Sequence, residues 1–288
     1  MKKILHRVSG AKIGTTLVLL ALVAIWSTPT VGLLITSLRT QDSAANSGWW
    51  TAIADPLNTA WSIEPYVNAI EGGMLSALLN TLIVTIPATV LPLIIAANAA
   101  YAFTFIQFKG REIYFASLVG LMVLPLQSAL FPVLKGFVWF KKTFGIELIG
   151  NFPAAWIVHS AFALPLAIYI LRNYMLTIPP SLLEAARMDG ASYYQIFWKL
   201  VMPMSIPAIA SFAIFQFLWV WNDYLIAFIF VGEQKPVMTW KLMRMLGQYG
   251  GGWQDVAAGS FLSLIIPLLV FFALQRYFVR GLTAGAVK

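Results

Sequence analysis

The chain has 288 residues, of which 60% are hydrophobic and only 10% are charged, and it contains no cysteine. A soluble domain is usually about 25% charged, so this composition indicates a membrane protein. The lack of cysteine excludes a disulfide framework, a thiol nucleophile and a cysteine metal site. The net charge of +8 does not indicate nucleic-acid binding, because the basic residues are spread over the loops between apolar runs.

Six apolar runs are long enough to cross a bilayer, and we predict one transmembrane domain over residues 1–288. The predicted spans are about 13–38, 75–105, 113–134, 152–171, 204–230 and 256–275. The first run is too long to be the core of a cleavable signal peptide, so we expect it to be retained as a helix.

The polar segment between the first two spans, residues 39–71, is acidic and contains three tryptophans. We expect it to lie outside the cell as a loop anchored at the membrane interface by its indoles. The alternative is contact with an external partner or a sugar.

Several spans contain proline or a polar residue. Pro87 and Pro92 should kink span two, and we expect neighbouring helices to satisfy the carbonyls that the prolines leave free. His159 in span four is interpreted as a structural hydrogen bonder rather than as a ligand or proton relay.

Six spans place both termini on one side of the membrane. Of the 19 lysines and arginines, twelve fall on the side of the N-terminus and seven on the other. The positive-inside rule therefore predicts a cytoplasmic N-terminus, C-terminus and 172–203 loop.

This cytoplasmic loop has a strong helix–turn–helix pattern. Ser181-x-x-Glu184 after a Pro-Pro pair and Ser192-x-x-Gln195 are two capping boxes, and Gly190 can end the first helix in the left-handed conformation. We expect the second helix to end near Val201, with a bend at the following proline. From the residues alone, this segment is either an ordinary interfacial helix or a protruding surface that a partner protein binds.

The same loop carries a family motif. Glu184-Ala185-Ala186, then Gly190, then Leu200 to Pro203 resembles the EAA loop of bacterial ABC importer permeases, here over residues 179–203. Leu200 and Met202 replace the usual isoleucine and leucine. The C-terminal residues 276–288 and the segment Trp221–Tyr224 resemble the maltose-type, MalG-like sugar permeases. The resemblance covers about the second half of the chain.

The resemblance implies an all-α membrane protein with six transmembrane helices and a cytoplasmic EAA coupling helix that docks in a cleft of a separate ATPase. The resemblance implies a coupling role for one group of residues and ATPase contact for residues of the C-terminal tail. These are Glu184, Ala185, Ala186, Asp189 and Gly190 for coupling, and Thr283, Gly285 and Lys288 for the tail.

The chain has no G-x-x-x-x-G-K-[ST] motif and no Gly-Lys pair, so it lacks a phosphate-binding loop. We therefore expect a transporter subunit that is not an enzyme and holds no metal or cofactor, with ATP and magnesium bound by partner ATPases. The family implies a homologous permease subunit, two ATPase subunits, an extracytoplasmic sugar-binding protein and a bacterial inner-membrane location.

Asp223 is the only acid deep inside an apolar run, and intramembrane carboxylates are functional candidates by default. On a continuous helix, Trp219, Asn222 and Asp223 would share one face with Ile226. An aromatic ring beside an amide and a carboxylate suits sugar hydroxyls. The alternatives are a polar cluster that packs helices together, a gate or a break in the helix.

Together these patterns predict the permease subunit of an ABC importer for a sugar, either an oligosaccharide or an α-glucoside. One alternative is an ABC importer for a non-sugar solute. Another is an ion-coupled carrier that uses Asp223 as its cation or proton site, and a third is a membrane scaffold without transport activity.

Overall fold

The computed structural model describes residues 10–245 and 252–284, with side chains for 13–245 and 252–275. No strand occurs in these ranges, and the helices account for the fold. They are α1 Gly10–Ser37, α2 Gln41–Asn46, α3 Trp49–Ala54, α4 Glu64–Glu71, α5 Met74–Phe105, α6 Arg111–Leu121, α7 Leu126–Phe144, α8 Phe152–Met175, α9 Pro180–Met188, α10 Tyr193–Ile196, α11 Met202–Trp221, α12 Met238–Met245 and α13 Trp253–Ala284, with π-helical segments Phe197–Val201 and Ala227–Val231.

Among the described residues, five helices are long and apolar enough to cross a membrane. A sixth crossing exists if α6 and α7, which meet at 105°, form one broken span. The prediction of an all-α, multi-span membrane protein is confirmed.

Two of the predicted spans differ from the observed helices. Span three was expected as one helix over 113–134, but it is broken at Pro125, which has an extended ψ of 128° and begins a new helix. A residue before a helix start adopts this conformation readily when it is proline. Span five was expected over 204–230, but its helix ends at Trp221.

The chain divides into two compact units, of which the first comprises Met1–Met74 and Leu242–Leu262. In this unit α3 packs closely on α1. A Cβ at Gly32 would lie 2.7 Å from Nε1 of Trp49, so only glycine allows this approach.

Arg39 links the end of α1 to α2 in the first unit. Its side chain is buried and donates to Ser43 Oγ (3.0 Å) and to the Ser47 carbonyl (3.0 Å). Burial lowers the pKa of Arg39, because desolvation disfavours the charged form. The hydrogen bonds offset part of that cost and fix the start of the polar segment.

The second unit, Leu75–Lys241 and Ser263–Lys288, contains two hydrophobic clusters. The first cluster joins α5, α8 and α11 to the 179–203 loop through residues such as Leu171, Leu183 and Phe212. The second cluster surrounds the end of α11 and includes Val158 and Phe230. The two clusters hold the two candidate sites described below.

Three of the prolines inside helices of the second unit share one arrangement. Pro87, Pro92 and Pro267 each lack the N–H that would bond the carbonyl four residues earlier. In each case a side-chain N–H from a neighbouring helix donates to the freed carbonyl: Trp156 Nε1 to Ile83 (2.8 Å), Gln216 Nε2 to Ala88 (3.2 Å) and Trp221 Nε1 to Ser263 (3.2 Å). The expectation that neighbouring helices satisfy these carbonyls is confirmed for Pro87 and Pro92, and Pro267 has the same arrangement.

Candidate functional site

The predicted coupling loop folds as two helices that meet at a tight turn, which we call the elbow (residues 180–196). α9 ends in a Schellman motif, in which the Ala191 N–H donates to the Ala186 carbonyl (3.0 Å) and the Gly190 N–H to the Arg187 carbonyl (3.0 Å). Gly190 has a φ of +79°, a left-handed conformation that glycine adopts without steric cost. The prediction of a helix, a glycine turn and a helix is confirmed.

The second helix of the elbow begins with a complete capping box. The Gln195 N–H donates to Ser192 Oγ (3.3 Å), and the Ser192 N–H donates to Gln195 Oε1 (2.8 Å). The matching prediction for Ser181 and Glu184 is wrong, because α9 begins at Pro180 and its N-cap makes no side-chain hydrogen bond. Proline at the first helical position needs no N–H partner and has a preset φ, so this helix starts without a capping box.

The outer face of α9 is accessible and includes small residues beside charged ones. One of the five predicted coupling residues, Ala186, is half-buried. The other four are exposed, and these are Glu184, Ala185, Asp189 and Gly190. Met188, which is 88% exposed, stands at the end of the helix. Small side chains permit another surface to approach closely, and the two carboxylates add charge to that surface.

The inner face of the elbow is fixed to the helices of the second unit. Leu183 and Ile196 are buried in the first hydrophobic cluster. The Tyr101 hydroxyl of α5 donates to the Tyr193 carbonyl (3.1 Å), and its ring centroid lies 5.1 Å from that of Phe197. A force on the elbow therefore acts on α5 and α11 rather than on a loose loop.

The chain does not leave the helix at Pro203, where we expected a bend. The chain continues as one helix of 29 residues from Tyr193 to Trp221, which passes through the π-helical segment Phe197–Val201. The wider π turn directly ahead of Pro203 makes room for its ring, so the helix continues past the proline.

An open cleft of about 430 Å³ lies between the two helices of the elbow. Asp189 and Lys199 place opposite charges in its lining, and Ala185 and Gln195 also line it. The cleft and the exposed face of α9 together form a surface that another protein can contact.

The second candidate site lies where α11 ends. Asn222 Nδ2 donates back to the Leu218 carbonyl (2.8 Å), and Asp223 Oδ2 accepts from the Ala227 N–H (3.0 Å) in the first turn of the following helical segment. These side chains end one helix and begin the next. The expectation that Trp219, Asn222 and Asp223 share a face of one helix is therefore wrong.

The helix break nevertheless leaves the three side chains beside one space. Trp219, Asn222 and Asp223 line an open groove of about 590 Å³. Trp219 is 66% exposed, which leaves its ring available for stacking. The groove can thus offer an aromatic surface, an amide and a carboxylate to a polar ligand.

Two polar residues of the groove were not predicted as site residues. Gln127, in the first turn of α7, and Tyr224, next to Asp223, also line it. The helix-terminating pair Asn222-Asp223 is the sequence signal that could have indicated Tyr224. Nothing in the sequence indicated Gln127, because the broken span brings it to the groove.

His159 of α8 is buried, and its Nε2 lies 3.6 Å from Asp223 Oδ2. This distance is too long for a hydrogen bond, and Nε2 has no other hydrogen-bond partner among the described side chains. The interpretation of His159 as a structural hydrogen bonder is not supported.

The predicted ATPase-contacting tail is only partly described. Thr283 lies within α13, whereas Gly285 and Lys288 lie outside the described residues. Between residues 10–245 and 252–284, no group of three or more His, Cys, Asp or Glu residues lies close enough together to hold a metal ion.

The multi-span fold with a structured, exposed elbow is that of a membrane permease subunit. A family model described as the binding-protein-dependent transport system inner membrane component matches residues 74–284. The chain belongs to this family, and it is a multi-pass protein of the inner membrane.

Similar proteins match nearly the whole chain. The osmoprotective compounds uptake permease protein GgtD of Synechocystis sp. is 46% identical, over 96% of this chain and 92% of that protein. The alpha-glucoside transport system permease protein AglG of Rhizobium meliloti is 37% identical, over 93% and 95%. The arabinooligosaccharides transport system permease protein AraQ of Bacillus subtilis is 30% identical, over 96% of each.

A solved structure has the same fold. It is a chain of a bacterial ABC transporter involved in the import of the acidic polysaccharide alginate, with a TM-score of 0.71, 21% identity, and coverage of 94% of this chain and 98% of that one. At this identity, the likeness concerns the fold.

Proposed function

We propose that this chain is the permease subunit of an ATP-driven importer that moves an α-glucoside or another oligosaccharide into the cell. The observation that carries the proposal is the elbow, a rigid exposed turn fixed to α5 and α11. Its similarity to alpha-glucoside and arabinooligosaccharide permeases over nearly their full length supports the sugar cargo.

In this proposal α9 docks on a cytosolic ATPase through Glu184, Ala185, Ala186, Asp189 and Gly190. Two ATPase subunits hold ATP and magnesium, and their closure moves the elbow. The tail residues Thr283, Gly285 and Lys288 contact the same ATPases. Both termini lie in the cytoplasm, as the distribution of lysine and arginine favours.

The long helix Tyr193–Trp221 is the element that transmits this motion. Its 29 residues span about 43 Å at 1.5 Å per residue, which is more than the thickness of the hydrocarbon core. One end begins in the elbow, and the other end meets the groove at Asn222 and Asp223. Tilting the helix at the elbow therefore changes the groove.

The groove is the cargo pathway of the proposal. Trp219 stacks against a sugar ring, while Asn222 and Asp223 form hydrogen bonds with the hydroxyls of the sugar. A homologous permease completes the pathway, and an extracytoplasmic sugar-binding protein delivers the cargo.

The test is transport by a defined complex. The tagged chain is purified from its host with its native partners, and the complex is reconstituted in liposomes that contain ATP. We expect accumulation of a radiolabelled α-glucoside (maltose, trehalose or sucrose) that needs both ATP and the binding protein. Transport by this chain alone, driven by an ion gradient, would instead establish an ion-coupled carrier.

A further inference from the structure

One oxygen of the Asp223 carboxylate accepts a hydrogen bond from the backbone, and in the described part of the chain the other does not. Oδ2 accepts the Ala227 N–H (3.0 Å), and the Asp223 carbonyl accepts from Thr239 Oγ1 of α12 (2.7 Å). Oδ1 makes no hydrogen bond within residues 13–245 and 252–275. The Asp223 side chain is 11% exposed and lines the groove, so Oδ1 is the acceptor available to a ligand.

The imidazole of His159 lies next to this carboxylate but forms no hydrogen bond with it. Nε2 is buried, lacks a hydrogen-bond partner and lies 3.6 Å from Oδ2. A buried polar group left without a partner costs about 1–3 kcal/mol. A shift of several tenths of an ångström would bring the two atoms within hydrogen-bond distance.

His159 also faces a second space. It lines a cavity of about 140 Å³ whose wall includes Leu126, Phe215 and Trp219, and the same three side chains line the groove beside Asp223. The two spaces therefore adjoin, with His159 on the cavity side and Asp223 on the groove side. A ligand stacked on Trp219 would lie at the junction.

We propose that His159 is a positioning residue for cargo binding, which acts by orienting Asp223. With cargo in the groove, His159 Nε2–H donates to Asp223 Oδ2, and this bond fixes the carboxylate so that Oδ1 accepts a cargo hydroxyl. The ligand class is a polyhydroxylated ring, because the groove pairs an exposed indole with an acceptor oxygen. This inference rests on the proposed function of the groove as the sugar pathway.

The donor character of residue 159 is the property to test. His159→Gln retains an N–H at a similar distance from the backbone, whereas His159→Leu fills the site without a donor. The complete complex is trapped with ATP and vanadate, and binding of radiolabelled maltose, trehalose and sucrose is measured. We expect His159→Leu to raise the Kd of the bound sugar about tenfold and His159→Gln to raise it no more than about threefold.

Two further measurements separate positioning from packing. Thermal unfolding of the complex should show no loss of stability in either variant, since both side chains fill the site. In an Asp223→Asn background, His159→Leu should add little to the Kd, because the oriented group is already altered. Should His159→Leu fail to reach the membrane, His159→Met provides the same donor-free comparison.

The outcomes distinguish this inference from the proposed function. An unchanged Kd in His159→Leu, or an equal loss in His159→Gln, would overturn the positioning role and leave the sugar pathway standing. A wild-type complex that binds and transports none of the three sugars would overturn the proposed cargo, and the inference with it.

Discussion

At the residue scale, Gly190 is the position of the elbow that depends most on which residue occupies it. Its φ of +79° is left-handed, and a Cβ built there meets no atom within 4 Å. The cost of Gly190→Ala is therefore backbone strain alone, about 1–2 kcal/mol. We expect this strain to shift the turn and to reduce ATP-driven uptake about fivefold or more, with normal amounts of protein in the membrane.

Gly136 provides the matched control, because it lies inside α7 and a Cβ there also meets no atom within 4 Å. Alanine is preferred to glycine by about 1 kcal/mol in a helix interior, so Gly136→Ala should leave uptake unchanged. Equal uptake in the two variants would show that the left-handed turn does not matter for coupling.

Asp223 tests the groove at the same scale. Asp223→Asn keeps the shape of the side chain and removes its charge, which weakens an acceptor for cargo hydroxyls because bonds to charged groups are the stronger ones. We expect initial uptake, at saturating binding protein, to fall about tenfold. Asp42→Asn, in the exposed first turn of α2, should have no effect. Normal transport by Asp223→Asn would show that the native carboxylate serves helix packing and not cargo binding.

At the element scale, the two serines of the elbow should behave differently. Ser192 caps α10, and loss of an N-cap costs about 1 kcal/mol, so Ser192→Ala should lower the thermal unfolding temperature of the purified complex. Ser181 lies within the first turn of α9 and makes no capping bond, so Ser181→Ala should be nearly neutral. Equal losses would indicate that α9 is capped after all.

The side chains that bond proline-freed carbonyls allow a sharper experiment. Gln216→Leu leaves the Ala88 carbonyl without its donor, and we expect a loss of about 1–3 kcal/mol of stability. Pro92→Ala restores an N–H within α5, so in that background Gln216→Leu should cost much less. A double-mutant cycle of unfolding temperatures measures this coupling, and additive effects would rule out the interaction.

Local patterns in the sequence predicted most elements but not how they meet. The Gly190 turn and the Ser192 cap depend on hydrogen bonds within a few residues, and both were predicted. The predicted Ser181 cap is wrong, because the helix starts at Pro180, two residues earlier than a Ser181 N-cap requires. The donors to the proline-freed carbonyls depend on contacts between helices, so only their existence could be expected.

The groove shows the same limit. Asn222 and Asp223 were identified as candidates, yet the periodicity of the apolar run favoured an unbroken helix there. Their side chains satisfy backbone groups at Leu218 and Ala227, and this local competition with the helix outweighs hydrophobic periodicity. The approach of His159 depends on packing between α8 and α11 and could not be read from spacing.

At the scale of the whole molecule, the account joins two sites through one helix. The elbow receives motion at the start of the helix Tyr193–Trp221, and the groove responds at its end. The continuity of the helix through Pro203 matters here, because a break in the helix would interrupt the transmission of motion to Asp223.

The most direct test is the location and contact of the elbow in the assembled complex. The chain has no native cysteine, so a single Met188→Cys substitution can be labelled selectively at the exposed end of α9, with Ala45→Cys in α2 as a control. We predict that Met188→Cys reacts with an impermeant maleimide only from the cytosolic side and crosslinks to the ATPase subunit, while Ala45→Cys reacts only from outside. Labelling of Met188→Cys from outside, or the absence of any crosslink to the ATPase, would contradict the account.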